Sequence, residues 1–319
     1  MRIAVVGVGA VGGFFGARLA AAGEDVVFVA RGAHGRALRT GGLRLRSPLG
    51  DLHLQPLRVL VPGERSDRPV GLVLVAVKMY DLSAAAPAVA ALVGPETLVL
   101  PIENGVEAGD ILAPVVAPAE VAPAVAYIGG HIEEPGVIRH VGTTARLVFG
   151  SPDGRPDPRL EAFAGACRRA GIDHVVSPAM AVELWRKFVF LAPFAAMTAL
   201  ARVPAGGLRE DPGLWARTRA LVEEAAAVGR ARAVPLPDGI VDDRLALIRG
   251  LPAGMRSSML TDLLAGRPLE LEWLLGAVVR LGEASGVPVP ESRAVLEALR
   301  ATLAAGSPAQ PEGGERTSR

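Results

Sequence analysis

The chain has 319 residues, enough for a substantial core and, at about 100–200 residues per domain, for two domains. Half of the residues are hydrophobic, which excludes a disordered chain, and 34 lysines and arginines against 33 aspartates and glutamates leave a net charge of +1. No net field remains to attract a nucleic acid or an anionic membrane surface, so neither is an expected partner.

RIAVVG (2–7) is the first expected strand, and Gly7-Val8-Gly9-Ala10-Val11-Gly12 then opens an Ala-rich helical segment over 10–22. The stretch superficially looks like a secretory leader, with Arg2, an apolar run and small residues. Glycines nevertheless interrupt that run at a functional spacing. After a strand and before a helix, the pattern gives a tight turn, lets backbone approach a pyrophosphate, and sets the anion at a helix N-terminus. It predicts a dinucleotide site built from Gly7, Gly9, Ala10, Val11 and Gly12.

DVVFVA (25–30) is the second expected strand. An Asp or Glu about 20 residues after the glycine motif would bind the ribose hydroxyls of NAD. This chain reads VFVARGAHGR there, with Arg31 where the acid would stand and Arg36 nearby. No carboxylate is present to repel a 2′-phosphate, which favours NADP(H); the plainer reading makes Arg31 a solvated loop residue.

VGLVLVAV (70–77) and ETLVLPI (96–102) are again apolar nearly throughout, as befits parallel strands buried on both faces, with a helical segment at 82–92 between them. The run 124–150 reads as further strands joined by turns at Glu134-Pro135-Gly136 and Gly142-Thr143. A surface loop (151–158), a helix (159–170) and a last strand (171–177) complete this half. Cys167, the only cysteine, excludes an internal disulfide and a thiolate metal cluster and points to a reducing cytoplasm; it reads as a small buried hydrophobe.

From Pro178 the segments become helical: 179–201, 212–233, 238–249, 253–265, 269–285 and 291–304. The expected architecture is therefore α/β, an N-terminal Rossmann-type doubly wound sheet over 1–178 followed by an all-helical C-terminal domain over 179–304, with a disordered tail over 305–319. The charge-free run from Phe188 to Ala201 falls short of the roughly 20 residues that span a bilayer, and Pro193 interrupts it, so a buried helix and no membrane are expected. His131 and His140 lie far from any Asp, Glu and Cys cluster and no metal site is expected. The apolar helices fit a homodimer or an internal core equally well.

With the glycine fingerprint, four further stretches carry a resemblance: VKMYDL (77–82) and ENGV (103–106), each after a strand, AVELWRKF (181–188), and RSSMLTDLLAGRPLELEWLLGAVVRLGEASGVPVP (256–290). In order and spacing, from residue 1 to about 304, the chain resembles the ketopantoate reductase (2-dehydropantoate 2-reductase) family. The resemblance implies NADPH-dependent reduction of a 2-oxo acid, ketopantoate, to D-pantoate on the way to pantothenate and coenzyme A, in a cleft between the domains. It implies that Lys187 is the catalytic lysine, that Lys78 is the cofactor-side lysine, and that Asn104 lies between nicotinamide and substrate. It also implies Ser258 at the substrate carboxylate and Glu270 near the substrate hydroxyl and the nicotinamide ribose.

Chemistry agrees. Hydride arriving at a ketone carbon leaves negative charge on oxygen, and a positioned lysine ammonium supplies both charge and proton. Lys78 and Asn104 follow the carboxyl ends of expected strands, where open α/β sheets bind ligands. The plainer readings are a snorkelling Lys187 with its stem on Trp185 or Phe188, N-cap serines at Ser257 and Ser258, and solvated first-turn charges at Glu270 and Glu272. Trp185, Trp215 and Trp273 read as packing residues.

The family usually carries asparagines one and two helical turns beyond the lysine, where this chain has Leu191 and Ala195, and a further one where it has Leu275. Those changes strip hydrogen-bonding groups from the implied substrate pocket, so a more apolar carbonyl substrate, or a non-catalytic NADP(H)-binding sensor, stands beside ketopantoate reduction.

Overall fold

The computed structural model describes residues 1–117 and 119–306, so the expected tail lies outside it from 307 onward. The chain divides into two compact units, one of Met1–Phe188 with Ala233–Pro237, the other of Val189–Arg232 with the chain from Asp238 onward. The division falls inside a continuous helix.

The first unit begins β1 (Arg2–Val6), α1 (Ala10–Ala21), β2 (Asp25–Val29) and α2 (Gly32–Gly41). Three short strands follow, β3 (Leu43–Arg46), β4 (Leu52–Leu54) and β5 (Arg58–Leu60). Then come β6 (Leu72–Val75), α3 (Met79–Ala90), β7 (Leu98–Pro101), α4 (Ala108–Val116) and β8 (Glu120–Val121). A long hairpin of β9 (Ala124–Glu134) and β10 (Val137–Phe149), helix α5 (Pro158–Arg169) and β11 (Asp173–Val176) complete it.

The expected apolar strands assemble into one all-parallel sheet of six, in the order β5-β2-β1-β6-β7-β8. Burial explains the composition: Ile3–Val6, Leu72–Val75 and Leu98–Leu100 are at most 3% exposed, because both faces of these strands are covered. At roughly 1.5–3 kcal/mol per fully buried aliphatic side chain, this alternation-free burial is what commits the segments to the sheet centre.

The strands after residue 123 do not extend that sheet. They form a second, mixed sheet in which β10 pairs antiparallel with β9 along its length and parallel with β3 at one end and β11 at the other. The turn expected at Gly142-Thr143 is instead a bulge: β10 runs through it, the register shifts between Val141 and Ala145, and Gly142 takes φ +79°. Two sheets share one apolar core, which contains the Phe14–Phe15 and Phe149–Phe163 ring pairs and Phe28.

Helix α6 (Met180–Ala201) spans the division. By length and apolar composition it could cross a membrane, but most of its apolar window is buried in the protein, with Val189, Ala192 and Ala195–Met197 at 0% exposure, as a core helix requires. The second unit continues with α7 (Ala205–Glu210), α8 (Pro212–Ala231), α9 (Ile240–Gly250), α10 (Ser258–Leu264), a 3₁₀ turn (Leu271–Trp273), α11 (Leu275–Ala284) and α12 (Pro290–Gly306).

Two expected helices are shorter than their apolar patterns. The segment 253–265 becomes helical only at Ser258, since the Ser257 side chain caps it by accepting from Leu260 N at 3.0 Å. The segment 269–285 breaks at Leu274, whose φ −104° and ψ −88° separate the 3₁₀ turn from α11.

Candidate active site

The glycine turn follows β1 and needs its glycines for three different reasons. Gly7 adopts φ +91°, a left-handed region that penalises any side chain, and its N–H donates to Val29 O at 3.1 Å. A Cβ on Gly12 would lie 2.2 Å from Gly7 O, so only hydrogen lets α1 seat against the turn. A Cβ on Gly9 would meet nothing within 4 Å, so the backbone there lies open to approach.

Gly9 is also the N-cap of α1 and offers no side-chain acceptor, so Ala10, Val11 and Gly12 begin the helix without a side-chain cap. Uncapped first-turn N–H groups, a helix dipole and open space above Gly9 fit a nucleotide pyrophosphate.

Arg31 caps the start of α2 at the end of β2, with a side chain 67% exposed. Its Nη2 donates to Asp81 Oδ2 at 2.5 Å, in the first turn of α3. Lys78 is the N-cap residue of α3, half-buried, two residues past the Ala76 carbonyl that abuts Gly7.

On the neighbouring strand, the chain leaves β7 through Glu103 into a bend at Asn104, and Gly105 turns it at φ +104°. Buried Glu103 accepts from Val77 N at 3.2 Å and so ties the ends of β6 and β7 together.

Lys187, from the first-unit end of α6, reaches this edge. Its Nζ donates to Asn104 Oδ1 at 2.9 Å and to Ala126 O of β9 at 2.7 Å, and lies 5.6 Å from the centre of the Tyr127 ring. The half-buried ammonium is held by two oxygens beside an aromatic ring, an arrangement that fixes its position rather than letting the side chain snorkel. Trp185 and Phe188 stack edge-on with each other beside it, as packing residues.

The structure therefore brings Lys187 and Asn104 into contact and puts Lys78 at the adjacent strand end. Ser258 and Glu270 belong to the second unit. Ser258 is the exposed first residue of α10, whereas Ser257 is buried as its cap and shares a 2.7 Å hydrogen bond with Thr198 Oγ1 of α6. Glu270 is 5% exposed just before the 3₁₀ turn. Its neighbour Glu272 is bound by Arg300 through two hydrogen bonds of 2.8 and 2.6 Å, which hold its carboxyl below the usual range despite partial burial. Leu191 is half-buried, while Ala195 and Leu275 are wholly buried core residues that present no surface to a ligand.

The other groups left without a role are structural. His140 is buried and bonded to Ser47 Oγ and Thr144 O, and His131 is exposed. Burial pushes the Cys167 thiol up to about 12. Among the described residues no cluster of His, Cys, Asp and Glu could hold a metal.

Sequence reasoning missed Glu103, Tyr127 and the Ala126 carbonyl. A backbone acceptor has no residue signature, but one signal was available for the amines: of the 34 lysines and arginines only Lys78 and Lys187 are lysines. Every other lysine-or-arginine position is arginine, so a side-chain ammonium survives only at the start of α3 and within α6, whose Lys187 reaches this edge.

The family model for ketopantoate reductase PanE/ApbA matches residues 3–154, and the model for that family's C-terminal part matches residues 179–303. The chain belongs to this family. It is 32% identical over 321 aligned positions to the 2-dehydropantoate 2-reductase of Mesorhizobium japonicum, covering 94% of this chain and 97% of that one. The Caulobacter vibrioides 2-dehydropantoate 2-reductase is 34% identical over 302 positions, with 94% and 98% covered. Among solved structures, the PanE/ApbA family ketopantoate reductase from Ralstonia eutropha JMP134 superposes with a TM-score of 0.85 at 32% identity, over 96% of this chain and 99% of that one. Ketopantoate reductases are oxidoreductases acting on a CH–OH group, and this chain is one of that class.

Proposed function

We propose that this chain is a cytoplasmic, NADPH-dependent reductase of 2-oxo acids, with ketopantoate its first substrate to test. The observation that carries the reading is the bond from Lys187 Nζ to Asn104 Oδ1 at the carboxyl edge of the parallel sheet. The names borne by the Mesorhizobium and Caulobacter relatives support the substrate.

A dihydronicotinamide, when bound, would supply the hydride. As negative charge develops on the substrate's keto oxygen, Lys187 donates a proton to that oxygen and is reprotonated from solvent. Ala126 O and Asn104 Oδ1 keep the ammonium aimed and restrict its swing, so the entropy of orienting the donor is spent on folding, not in the transition state. Arg31 is proposed for the 2′-phosphate, Lys78 for the cofactor side of the site, Ser258 for the substrate carboxylate and Glu270 for the substrate hydroxyl and ribose.

Half-buried Leu191, where the family usually has asparagine, favours a second reading within the same chemistry: a substrate more apolar than ketopantoate. NADPH oxidation followed by absorbance across a panel of 2-oxo acids separates the two. Fast turnover confined to ketopantoate supports the first, preference for a bulkier apolar acid the second, and nucleotide binding without turnover of any acid overturns both in favour of a sensor. In Lys187→Ala, kcat is expected to fall about 10²–10⁴-fold with NADPH affinity within a few-fold of the parent; undiminished kcat would end the assignment of Lys187 as donor.

A further inference from the structure

The ion pair between Arg31 and Asp81 lies largely at the surface. Arg31 follows β2 and Asp81 follows β6, the two strands that flank β1, and β1 ends in the glycine turn. The pair therefore runs from one side of that turn to the other. Neither side chain is packed into the core: they are 67% and 29% exposed, and the 2.5 Å contact is electrostatic.

Asp81 itself is anchored, since its N–H donates to Lys78 O at 2.8 Å within the first turn of α3. Arg31 is the longer and more exposed partner, and Asp81 stands on a hydrogen-bonded helical turn.

We propose that Asp81 is a specificity-determining residue, an internal anion that occupies Arg31 until a 2′-phosphate displaces it and so sets how strongly NADPH is preferred over NADH. The proposal rests on the reading of Arg31 as the 2′-phosphate partner. With NADH the guanidinium keeps its carboxylate. With NADPH, carboxylate and phosphate compete for one fork-shaped donor, and only the surplus of the phosphate contact over the carboxylate contact becomes affinity. The carboxylate also lends Arg31 a preset direction, so the site is ordered before the nucleotide arrives.

Neutralising Asp81 frees the guanidinium without removing a buried atom. Because exposed ion pairs are weak, the expected gain is modest, about two- to five-fold in NADPH affinity, with NADH changed less than about 1.5-fold.

The test is equilibrium binding of NADPH and of NADH to the full chain, by fluorescence titration at fixed ionic strength without any oxo acid, for the parent, Asp81→Asn, Arg31→Ala and the double variant. The expected result is that Asp81→Asn tightens NADPH selectively and that the double variant equals Arg31→Ala. An equal shift for both nucleotides, or no shift, overturns the proposal. So does a gain that persists on the Arg31→Ala background, because Asp81 would then repel the phosphate directly. If Arg31→Ala leaves the NADPH-to-NADH ratio unmoved, the reading of Arg31 has failed and the proposal falls with it. A ratio lowered by Arg31→Ala but unmoved by Asp81→Asn removes only the role of Asp81.

Discussion

Gly9 and Gly12 lie three residues apart in one turn, yet an added methyl group would have opposite consequences at the two. At Gly12 it would sit 2.2 Å from the Gly7 carbonyl, a backbone atom that cannot step aside, so Gly12→Ala is expected to cost about 1–3 kcal/mol in urea unfolding. At Gly9 it would occupy empty space, so Gly9→Ala should leave the unfolding midpoint nearly unmoved and weaken NADPH binding at least about ten-fold by filling the phosphate's approach. A Gly9→Ala variant that binds NADPH normally would remove the turn from the cofactor site. Residues of this kind were legible because the constraint is carried by residue type: only glycine fits at Gly7 and Gly12, and only lysine carries a side-chain ammonium. The Ala126 carbonyl that holds Lys187 was not, because every residue has one and the fold alone decides which carbonyl arrives.

At the scale of elements, α10 depends on which of two adjacent serines does which task. Ser257 caps the helix and bonds Thr198 Oγ1 in a buried position; Ser257→Ala is expected to lose about 1–2 kcal/mol, measurable as a lowered melting temperature. Ser258 is exposed, so Ser258→Ala should leave the melt unchanged within about 0.5 kcal/mol and raise KM for the oxo acid. The reverse pattern would exchange the proposed roles. Parallel strands β1, β2, β6 and β7 could be read from sequence because burial on both faces leaves an unbroken apolar run. The short strands β3–β5 were not: β3 alternates buried Leu43 and Leu45 with exposed Arg44 and Arg46, but four residues are too short a period-two run to stand out, and β4 and β5 are shorter still. The bulge at Gly142 carries the same glycine signal as a turn, and only the partner strand distinguishes them.

For the whole molecule, the expected liability is acid. Glu24 is buried, which alone would raise its pKa, but hydrogen bonds from the Met1 ammonium and Arg169 outweigh burial and bring it below the usual carboxylate value. Asp157 is likewise held low, first by the Arg159 guanidinium. A carboxylate whose folded pKa lies below its unfolded value stabilises fully above the unfolded pKa of about 4.3 and loses that contribution as pH falls through the folded value. The melting temperature should therefore be flat from about pH 7 to 5.5 and drop steadily below about pH 4.5. Glu24→Gln should be less stable than the parent at pH 7, with the gap narrowing toward pH 3.5; a gap independent of pH would show that Glu24 acts through packing and not through charge. The division of the chain within α6 was not legible locally, since the helical pattern continues across Phe188 and Val189 without a break, and neighbours far away in sequence decide to which unit each turn belongs.

A chain that keeps ammonium groups at two side chains only offers an unusual handle to chemistry. Reductive methylation with isotope-labelled formaldehyde attaches to amines and ignores guanidinium, so apart from the chain's α-amine it would mark Lys78 and Lys187 alone. A two-dimensional carbon–proton spectrum of the labelled protein would then hold two lysine signals, both from the edge of the parallel sheet. Nucleotide binding could be followed at the Lys78 signal with no crowd of surface lysines to hide it, while the Lys187 signal reports on an amine left with a single N–H for its two acceptors.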